Sequence, residues 1–310
     1  MSSISIVMIS FNRPNEIRRN VLELVSQLSE DVEIVVVDNK SETPVRSVLK
    51  SYEARVKVIE MKENVGVYAR NIGVQNATGD IVVTLDDDVF GFSECHAKIL
   101  EKYFSENKKV AALNFRVIDD VTEAQINWCH RRRADTWGCQ EFTTYEISEG
   151  AVAFRRQCFL DSGMYPSYFF ISHEGPDMAL SLMDQGWDVV YYPLITVRHA
   201  HSKGGRPDWR RYYYDTRNMV WLGVRRYNTK LFLRKVPLHL SAMFLYSLRD
   251  GFLRVYLNAI YDSLSQIKKV REDRKCISEE TYKKYKKIEK FNPSLFYMIK
   301  RRLFKKGVSI

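Results

Sequence analysis

The sequence predicts an α/β fold: a mostly parallel, Rossmann-like sheet flanked by helices, with a C-terminal helical extension. Apolar, β-branched runs alternate with helical segments through the first part of the chain, as in parallel sheets. The apolar run at residues 81–85 leads directly into Asp86, Asp87 and Asp88. Ligands of open α/β sheets bind at the carboxyl ends of the strands, so this run marks a candidate site.

The first four strand predictions fall on apolar runs at residues 4–9, 33–37, 56–59 and 81–85. Pro14 is expected to begin a helix, because proline is tolerated in a first helical turn. Residues 66–77 also have helical spacing. Right-handed crossovers place the carboxyl ends of parallel strands at one edge of a sheet. We therefore expect Phe11, Asp38 and the aspartates of residues 86–88 to line one crevice.

The second part of the chain is less regular. Strands are predicted over residues 110–117, 149–154, 188–192 and 194–197, and a helix is predicted over residues 176–185. Long helical patterns follow at residues 212–227, 231–264 and 278–291. We place a domain boundary near residue 205, giving a sheet domain at 1–205 and a basic, mainly helical region at 206–310.

Charge separates these two parts. Residues 1–190 carry a net charge of −9 and residues 191–310 carry +19, within a total of +10. A basic second part suits an anionic lipid surface, nucleic acid or a phosphate-bearing substrate. The five cysteines show no paired spacing, which fits a reducing compartment. Neither a signal peptide nor an apolar run of the roughly 20 residues needed for a span is recognised, so a cytoplasmic location is expected.

The aspartates at 86–88 allow two interpretations. Three adjacent carboxylates repel one another, and a hard divalent cation among them offsets that repulsion. A solvated acidic turn after a strand is the alternative. Asp38 ends another strand, where a carboxylate accepts hydrogen bonds from a base or ribose or shapes a turn. Gly66 and Arg70 suit close backbone approach and phosphate binding, respectively.

A second acidic cluster precedes the helix predicted at 176–185. Glu174 and Asp177 are candidates for general base chemistry, although acidic residues at a helix start also favour the helix dipole. Further along, His199 and His201 end a strand and are candidates to complete the coordination of a metal ion.

Taken in order, these segments resemble the family 2 glycosyltransferases with a GT-A fold, including bacterial polysaccharide and rhamnosyltransferase-like members. The resemblance is carried by residues 6–14, 35–41, 64–73, 79–88, 150–156, 169–178, 199–202 and 212–218. It implies a metal-dependent transferase that moves a sugar from a nucleoside-diphosphate sugar to an acceptor hydroxyl in one inverting displacement.

The resemblance also implies roles for individual residues. Asp88 and Asp86, together with His199 or His201, are expected to bind a Mn²⁺ or Mg²⁺ ion. Gly150 and Ala151 lie in the segment that resembles the acceptor-side strand. Contacts with the UDP-, GDP- or dTDP-sugar fall to Phe11, Asn12, Arg13, Asp38, Asn64, Gly66, Arg70, Asp86 and Asp87.

The chain departs from the family at one position. The family commonly has Glu-Asp-Xaa-Asp, whose second acid often serves as the base, but here that position is Gly175. The base is therefore expected to be Glu174 or Asp177, with Glu174 favoured because Asp177 belongs to a first helical turn.

Three other classes were considered. A nucleotidyltransferase needs glycines after the first strand, and residues 11–14 contain none. A catalytically inactive relative that binds nucleotide sugars stays open because of Gly175. Nucleic-acid binding is not expected, since no recognition module accompanies the positive charge.

The basic C-terminal helices have two compatible interpretations. In the first, they lie on the anionic inner face of the cytoplasmic membrane, with six apolar residues facing lipid. In the second, the same residues pack on the sheet domain as part of its core. The six residues are Leu238, Leu240, Phe244, Leu245, Leu248 and Phe252. The first interpretation suits a lipid-linked glycan acceptor, and a free glycan is the other expected acceptor.

Overall fold

A computed structural model describes residues 3–200, 209–294 and 297. Within these residues the strands are β1 (Ile4–Ser10), β2 (Glu33–Asp38), β3 (Val56–Glu60), β4 (Ile81–Asp86), β5 (Val89–Phe90), β6 (Val110–Asp119), β7 (Phe142–Thr143), β8 (Ala151–Arg155) and β9 (Asp188–His199). They form one sheet in the order β3-β2-β1-β4-β8-β6-β9-β5, with β7 paired to β9.

The helices cover both the sheet and the C-terminal region. They are α1 (Pro14–Gln27), α2 (Val45–Val48), α3 (Ala69–Asn76), α4 (Glu94–Glu106), α5 (Ala134–Trp137), α6 (Arg156–Asp161), α7 (Glu174–Asp184), α8 (Trp209–Arg226), α9 (Thr229–Asp250), α10 (Leu253–Ser265), α11 (Ile267–Glu272) and α12 (Glu279–Glu289). Two hydrophobic clusters fill the space around the sheet, one containing Ile6 and Val36 and the other containing Val7 and Val35. Both faces of the sheet are therefore buried, as in α/β proteins.

The sheet has a parallel half and a mixed half. Strand β1 pairs in parallel with β2 and β4, and β2 pairs in parallel with β3. Strand β8 runs antiparallel to both β4 and β6, while β6 and β9 are parallel. The predicted α/β class with C-terminal helices is confirmed, and the antiparallel insertion of β8 makes the sheet mixed.

Two predicted boundaries are wrong. Residues 188–192 and 194–197 belong to one strand, β9, which keeps its partner β6 through a register shift: Phe115 pairs with Tyr192 and Arg116 with Thr196. The irregularity contains Pro193, which has no N–H to donate to a ladder. The helix predicted at 231–264 is two helices, because Gly251 adopts a left-handed φ of 80° and ends α9.

The C-terminal helices share a hydrophobic cluster with the first part of the chain. Trp221 of α8 and Leu231 of α9 are buried in the same cluster as Phe169 and Leu180. The domain boundary near residue 205 stays a prediction, since residues 201–208 lie outside the described residues. In the described part of the chain, no helix has the length and apolarity that a membrane crossing requires.

Candidate active site

The carboxyl ends of three parallel strands meet at one edge of the sheet. Ser10 at the end of β1 is in register with Asp38 at the end of β2, and Ile9 is in register with Asp86 at the end of β4. The chain continues beyond this edge into Phe11, whose side chain is 40% exposed. The strand ends thus form the crevice edge that the sequence predicts.

Asp38 shapes the loop that follows β2. Its Oδ1 accepts a hydrogen bond from Ser41 N at 2.8 Å, and its Oδ2 accepts one from Val45 N at 2.9 Å. Asn12 supports the same loop, because its Oδ1 accepts a hydrogen bond from Glu42 N at 2.8 Å. Both oxygens of Asp38 therefore hold the loop, and contact between Asp38 and a nucleotide base stays a prediction.

Gly66 is required by the protein's own backbone. It has a φ of 62°, and an added Cβ would overlap the carbonyl group of Phe170. Val67 N donates to that carbonyl oxygen at 2.8 Å, and Asn64 Oδ1 accepts from Gly66 N at 2.9 Å. The close approach expected at Gly66 is thus made by Phe170, and nucleotide contacts by Asn64 and Gly66 stay predictions.

Asp86 is fixed by an ion pair with a buried arginine. Its Oδ1 pairs with Arg70 Nη2, and only 5% of the Arg70 side chain is exposed. Arg70 Nε donates to the carbonyl oxygen of Glu149 at 3.1 Å, which ties β4 to the residue before Gly150. The backbone of Gly150 lies so close to Asp86 that a Cβ added at Gly150 would overlap the Asp86 carboxylate.

Asp87 and Asp88 share one arginine. Arg13 Nη1 lies 3.0 Å from Asp87 Oδ1 and also contacts Asp88 Oδ2. Asp87 Oδ2 accepts a further hydrogen bond from Ser10 Oγ at 3.0 Å. On the other side, His199 Nε2 lies 3.2 Å from Asp88 Oδ1. The three carboxylates therefore divide, with Asp86 facing Arg70 and the other two facing Arg13 and His199.

The turn itself is held by a residue that sequence reasoning missed. The side-chain Nδ2 of Asn20 in α1 donates to the carbonyl oxygen of Val89 at 2.8 Å and lies 3.2 Å from that of Asp86. Asn20 is buried on a helix face otherwise formed by Ile17, Val21 and Leu24. A lone amide on an apolar helix face is the signal that could have identified it.

The three carboxylates of the acidic run repel one another, and this repulsion contributes to the raised pKa of Asp87. Burial, opposed by Arg13 and reinforced by Asp88 and Asp86, raises the pKa of Asp87 to about 7. Burial also works against the charged form of Asp88, but His199 and Arg13 outweigh it and lower the pKa of that residue. A divalent cation would offset the remaining repulsion, so the donor set fits a hard metal ion. Asp88 and His199 are placed to hold it, and His201 lies outside the described residues.

Glu174 and Asp177 have different surroundings. Asp177 is fully buried, and its Oδ1 accepts hydrogen bonds from Arg225 Nε at 2.9 Å and Arg226 Nε at 3.1 Å. Its Oδ2 lies 3.0 Å from Arg226 Nη2. This pairing gives Asp177 a structural task that joins α7 to α8 and favours Glu174 as the base.

Glu149 is a further carboxylate beside Glu174. Burial raises the pKa of Glu149 well above its usual range, and the charge of Glu174 adds to the rise. A Cβ on Gly175 would overlap Glu149 Oε1, so the missing side chain at 175 leaves the room that Glu149 occupies. Twenty-five positions separate the pair along the chain, so no local motif announced it. Ala151, the other predicted acceptor-side residue, is buried in β8.

A Gly150→Ala variant is expected to bind a nucleotide-sugar donor at least tenfold more weakly. Overpacking of this kind costs about 1–3 kcal/mol, and the added methyl group displaces the Asp86 carboxylate from Arg70. Calorimetric titration with a donor measures the change. Gly79→Ala is the matched control. Its Cβ would also overlap a neighbour, Ser5 of β1, but Gly79 lies before the first residue of β4, at the end away from Asp86. Equal donor affinity in Gly150→Ala and wild type would contradict this role for Gly150.

The mixed sheet and its flanking helices have the architecture of the GT-A fold. Residues 5–161 match the model of glycosyl transferase family 2, and the chain therefore belongs to that family. The O-antigen chain rhamnosyltransferase WbaN of Salmonella anatum is 25% identical over 206 residues, which are 61% of this chain and 63% of that protein. The uncharacterized glycosyltransferase YfnE of Bacillus subtilis (strain 168) is 32% identical over 110 residues, 34% of this chain and 28% of YfnE.

Solved structures show the same fold at low sequence identity. GalNAc-T7, crystallised with UDP, GalNAc and Mn²⁺, has a TM-score of 0.63 at 17% identity, over 97% of this chain and 58% of that one. Residues 1–349 of S. aureus TarS, in complex with UDP-GlcNAc, have a TM-score of 0.61 at 15% identity, over 88% of this chain and 84% of that one. The matches to YfnE and WbaN each span less than two thirds of the relative's length.

Proposed function

We propose that this protein transfers a sugar from a UDP-, GDP- or dTDP-sugar to a hydroxyl group of a glycan or lipid-linked glycan, with inversion at the anomeric carbon. The observation that carries the proposal is the meeting of three aspartates at one edge of the sheet, with Asp86 paired to Arg70 and the other two paired to Arg13 and His199. Complexes of fold relatives with UDP and Mn²⁺ or with UDP-GlcNAc support the nucleotide-sugar donor.

The residues of the edge have complementary tasks in this mechanism. A bound Mn²⁺ or Mg²⁺ supplies positive charge that stabilises the diphosphate leaving group. Asp88 and His199 would hold that ion, while Asp86 and its partner Arg70 would orient the nucleotide. Glu174 accepts the proton of the acceptor hydroxyl as that oxygen bonds to the anomeric carbon and the diphosphate leaves. Crevice binding places donor and acceptor together.

A thermal-shift screen of nucleotide sugars tests the donor class. Each donor is added with Mn²⁺ and, separately, with a chelator, and the midpoint of unfolding is measured. A donor at about 100 times its Kd stabilises the folded state by about 2.7 kcal/mol. A donor that raises the midpoint only with Mn²⁺ is the expected result. No shift with any donor and metal would contradict the proposal.

The C-terminal helices support an acceptor at a membrane surface. Leu238, Leu245 and Leu248 of α9 follow helical spacing and are 52%, 63% and 49% exposed, and Phe244 beside them is 39% exposed. Exposed cations accompany them, among them Lys230 at the start of α9 and Arg254 in α10, whereas Arg249 pairs with Asp250. An apolar stripe with basic neighbours suits an anionic lipid surface. Of the six residues predicted to face lipid, Leu240 and Phe252 instead pack against core clusters.

A triple variant, Leu238→Ser/Leu245→Ser/Leu248→Ser, is expected to lose co-sedimentation with anionic vesicles. Each leucine is about half exposed, so its loss from the lipid weakens binding by about 1 kcal/mol, which is roughly fivefold. The control is Leu22→Ser/Leu194→Ser, since these leucines are also exposed but lie on α1 and β9. Equal vesicle binding by the triple variant and the control would contradict membrane docking through α9.

A further inference from the structure

Three metal-ligating side chains converge away from the aspartates of β4. His173 precedes α7, Asp215 lies in α8, and His239 lies in α9. His173 Nε2 is 2.9 Å from Asp215 Oδ1, and His239 Nε2 is 3.5 Å from Asp215 Oδ2. One ligand atom from each residue lies within 4.8 Å of the other two. Elements distant in sequence thus present two imidazoles and a carboxylate to one point.

We propose that His173, Asp215 and His239 form a binding site for a divalent transition-metal ion, with Zn²⁺ the best match to two imidazoles and one carboxylate. Metal–nitrogen and metal–oxygen bonds of about 2.1 Å in tetrahedral geometry place neighbouring ligand atoms about 3.4 Å apart. His173 Nε2 lies 2.9 Å from Asp215 Oδ1 and His239 Nε2 lies 3.5 Å from Asp215 Oδ2, so small side-chain shifts would bring both rings and one carboxylate oxygen to this spacing. Three protein ligands leave a fourth position for water, as in open zinc sites.

The hydrogen-bonding pattern alone accounts for the cluster less completely. A His–Asp–His chain explains the 2.9 Å contact of His173 with Asp215. At 3.5 Å, however, the buried His239 Nε2 is at the outer limit of a hydrogen bond to Asp215 Oδ2. A metal ion would occupy both imidazole nitrogens and the carboxylate at ordinary bond lengths.

The electrostatics of the cluster favour a metal ion at Asp215 and His239 and oppose it at His173. Although burial opposes its charge, Asp215 has a pKa well below the usual range because His239 and His173 face it. Burial lowers the pKa of His239, so that its ring is neutral, as a ligand must be. Burial acts in the same sense on His173, but Asp215 outweighs it and raises that pKa, which works against the neutral ring that a metal ligand needs. The positive charge of Arg131 lowers the pKa of both histidines and would repel a cation bound between them.

The opposing charge of Arg131 is partly offset. Its Nε lies 3.3 Å from Glu146 Oε1, and Glu146 also contributes to the raised pKa of His173. Asp215 has a second partner of its own, since its Oδ1 accepts a hydrogen bond from Ser172 Oγ at 3.1 Å. Outer contacts of this kind orient metal ligands.

The backbone at Ser172 and His173 adopts a left-handed conformation that places the His173 ring beside Asp215. Ser172 and His173 have φ values of 78° and 67°, a left-handed conformation that costs non-glycine residues about 1–3 kcal/mol. Asn218 Nδ2 in α8 holds the segment by donating to the carbonyl oxygens of Ile171 at 2.7 Å and Ser172 at 2.8 Å. Because His173 directly precedes Glu174, an ion at this site would fix the start of α7 and position the proposed base.

Zinc stoichiometry tests the site without any nucleotide sugar, so its outcome is separate from that of the proposed transfer reaction. The full chain carries Asp88→Asn and His199→Gln to weaken the other candidate metal site. After treatment with a chelator, it is dialysed against Zn²⁺, and bound zinc is measured by atomic emission. We expect one ion per chain, and none after the further change His239→Gln or Asp215→Asn. His96→Gln is the histidine control and keeps the ion.

Two results would overturn the proposal. One is the absence of zinc from the Asp88→Asn/His199→Gln chain. The other is a zinc content that stays at one ion per chain after His239→Gln and after Asp215→Asn. Should either further variant fail to fold, Co²⁺ is added to the parent chain instead. Visible d–d bands that Zn²⁺ displaces support the site, and their absence overturns it. A hydrogen-bonded His–Asp–His chain without metal produces no such bands.

Discussion

A Glu174→Gln variant is expected to transfer sugar roughly 10²- to 10⁴-fold more slowly than wild type, while its affinity for the donor is unchanged. Loss of a positioned general base costs a rate factor of this size. Glutamine preserves the shape of a side chain that is only 4% exposed, but it cannot accept the proton of the acceptor hydroxyl. Transfer is measured as nucleoside diphosphate released with acceptor present, and donor affinity is measured by calorimetry.

The matched control is Glu149→Gln, the same change at the neighbouring carboxylate. It removes a titrating carboxyl group from the pair but leaves Glu174, so it is expected to change the pH dependence of transfer and to retain more activity than Glu174→Gln. Unchanged turnover in Glu174→Gln would contradict the assignment of the base. A larger loss in Glu149→Gln than in Glu174→Gln would reverse the roles of the two residues.

Asp177→Asn is expected to destabilise the fold by about 3–5 kcal/mol, the usual result of removing one partner from a buried ion pair. Arg225 and Arg226 would keep their charges with only 7% and 4% of their side chains exposed. The midpoint of thermal unfolding should fall by on the order of 10 °C. Differential scanning calorimetry in the absence of ligands measures this effect.

An exposed ion pair provides the control for Asp177. Asp135 pairs with Arg133 at the surface, where 58% of the Asp135 side chain and 50% of the Arg133 side chain are exposed. Asp135→Asn is expected to leave the unfolding midpoint unchanged, since solvent screens such pairs. If Asp177→Asn unfolded at the wild-type temperature and nevertheless lost transfer, Asp177 would be the better candidate for the base.

Much of the sheet could be predicted because its strands are locally encoded. The apolar runs that became β1, β2 and β4 each end within one residue of the predicted position. Helix ends were harder where a single residue decides them. Gly251 divides the pattern at 231–264, and only its left-handed φ shows that the chain turns there. The apolar spacing continues on both sides, so periodicity alone could not locate the break.

The site was predictable only to the extent that strand topology determines it. Parallel strands that end in Asp38 and Asp86 must bring both to one edge. Which side chains then pair depends on packing between distant segments. Arg225 is 48 positions from its partner Asp177, and Glu149 occupies space made available by Gly175. Neither arrangement has a local sequence signature, which is why Asp177 was considered as a base and Glu149 was missed.

Donor binding to wild type and to Asp88→Asn tests the central claim most directly, that the acidic edge at β4 binds a nucleotide sugar through a divalent cation. The donor that gives the largest thermal shift is titrated calorimetrically into both proteins with Mn²⁺, and into wild type with a chelator. We predict measurable binding to wild type with Mn²⁺ only, and loss of that binding in Asp88→Asn. Equal affinity under all three conditions would contradict the metal-dependent site.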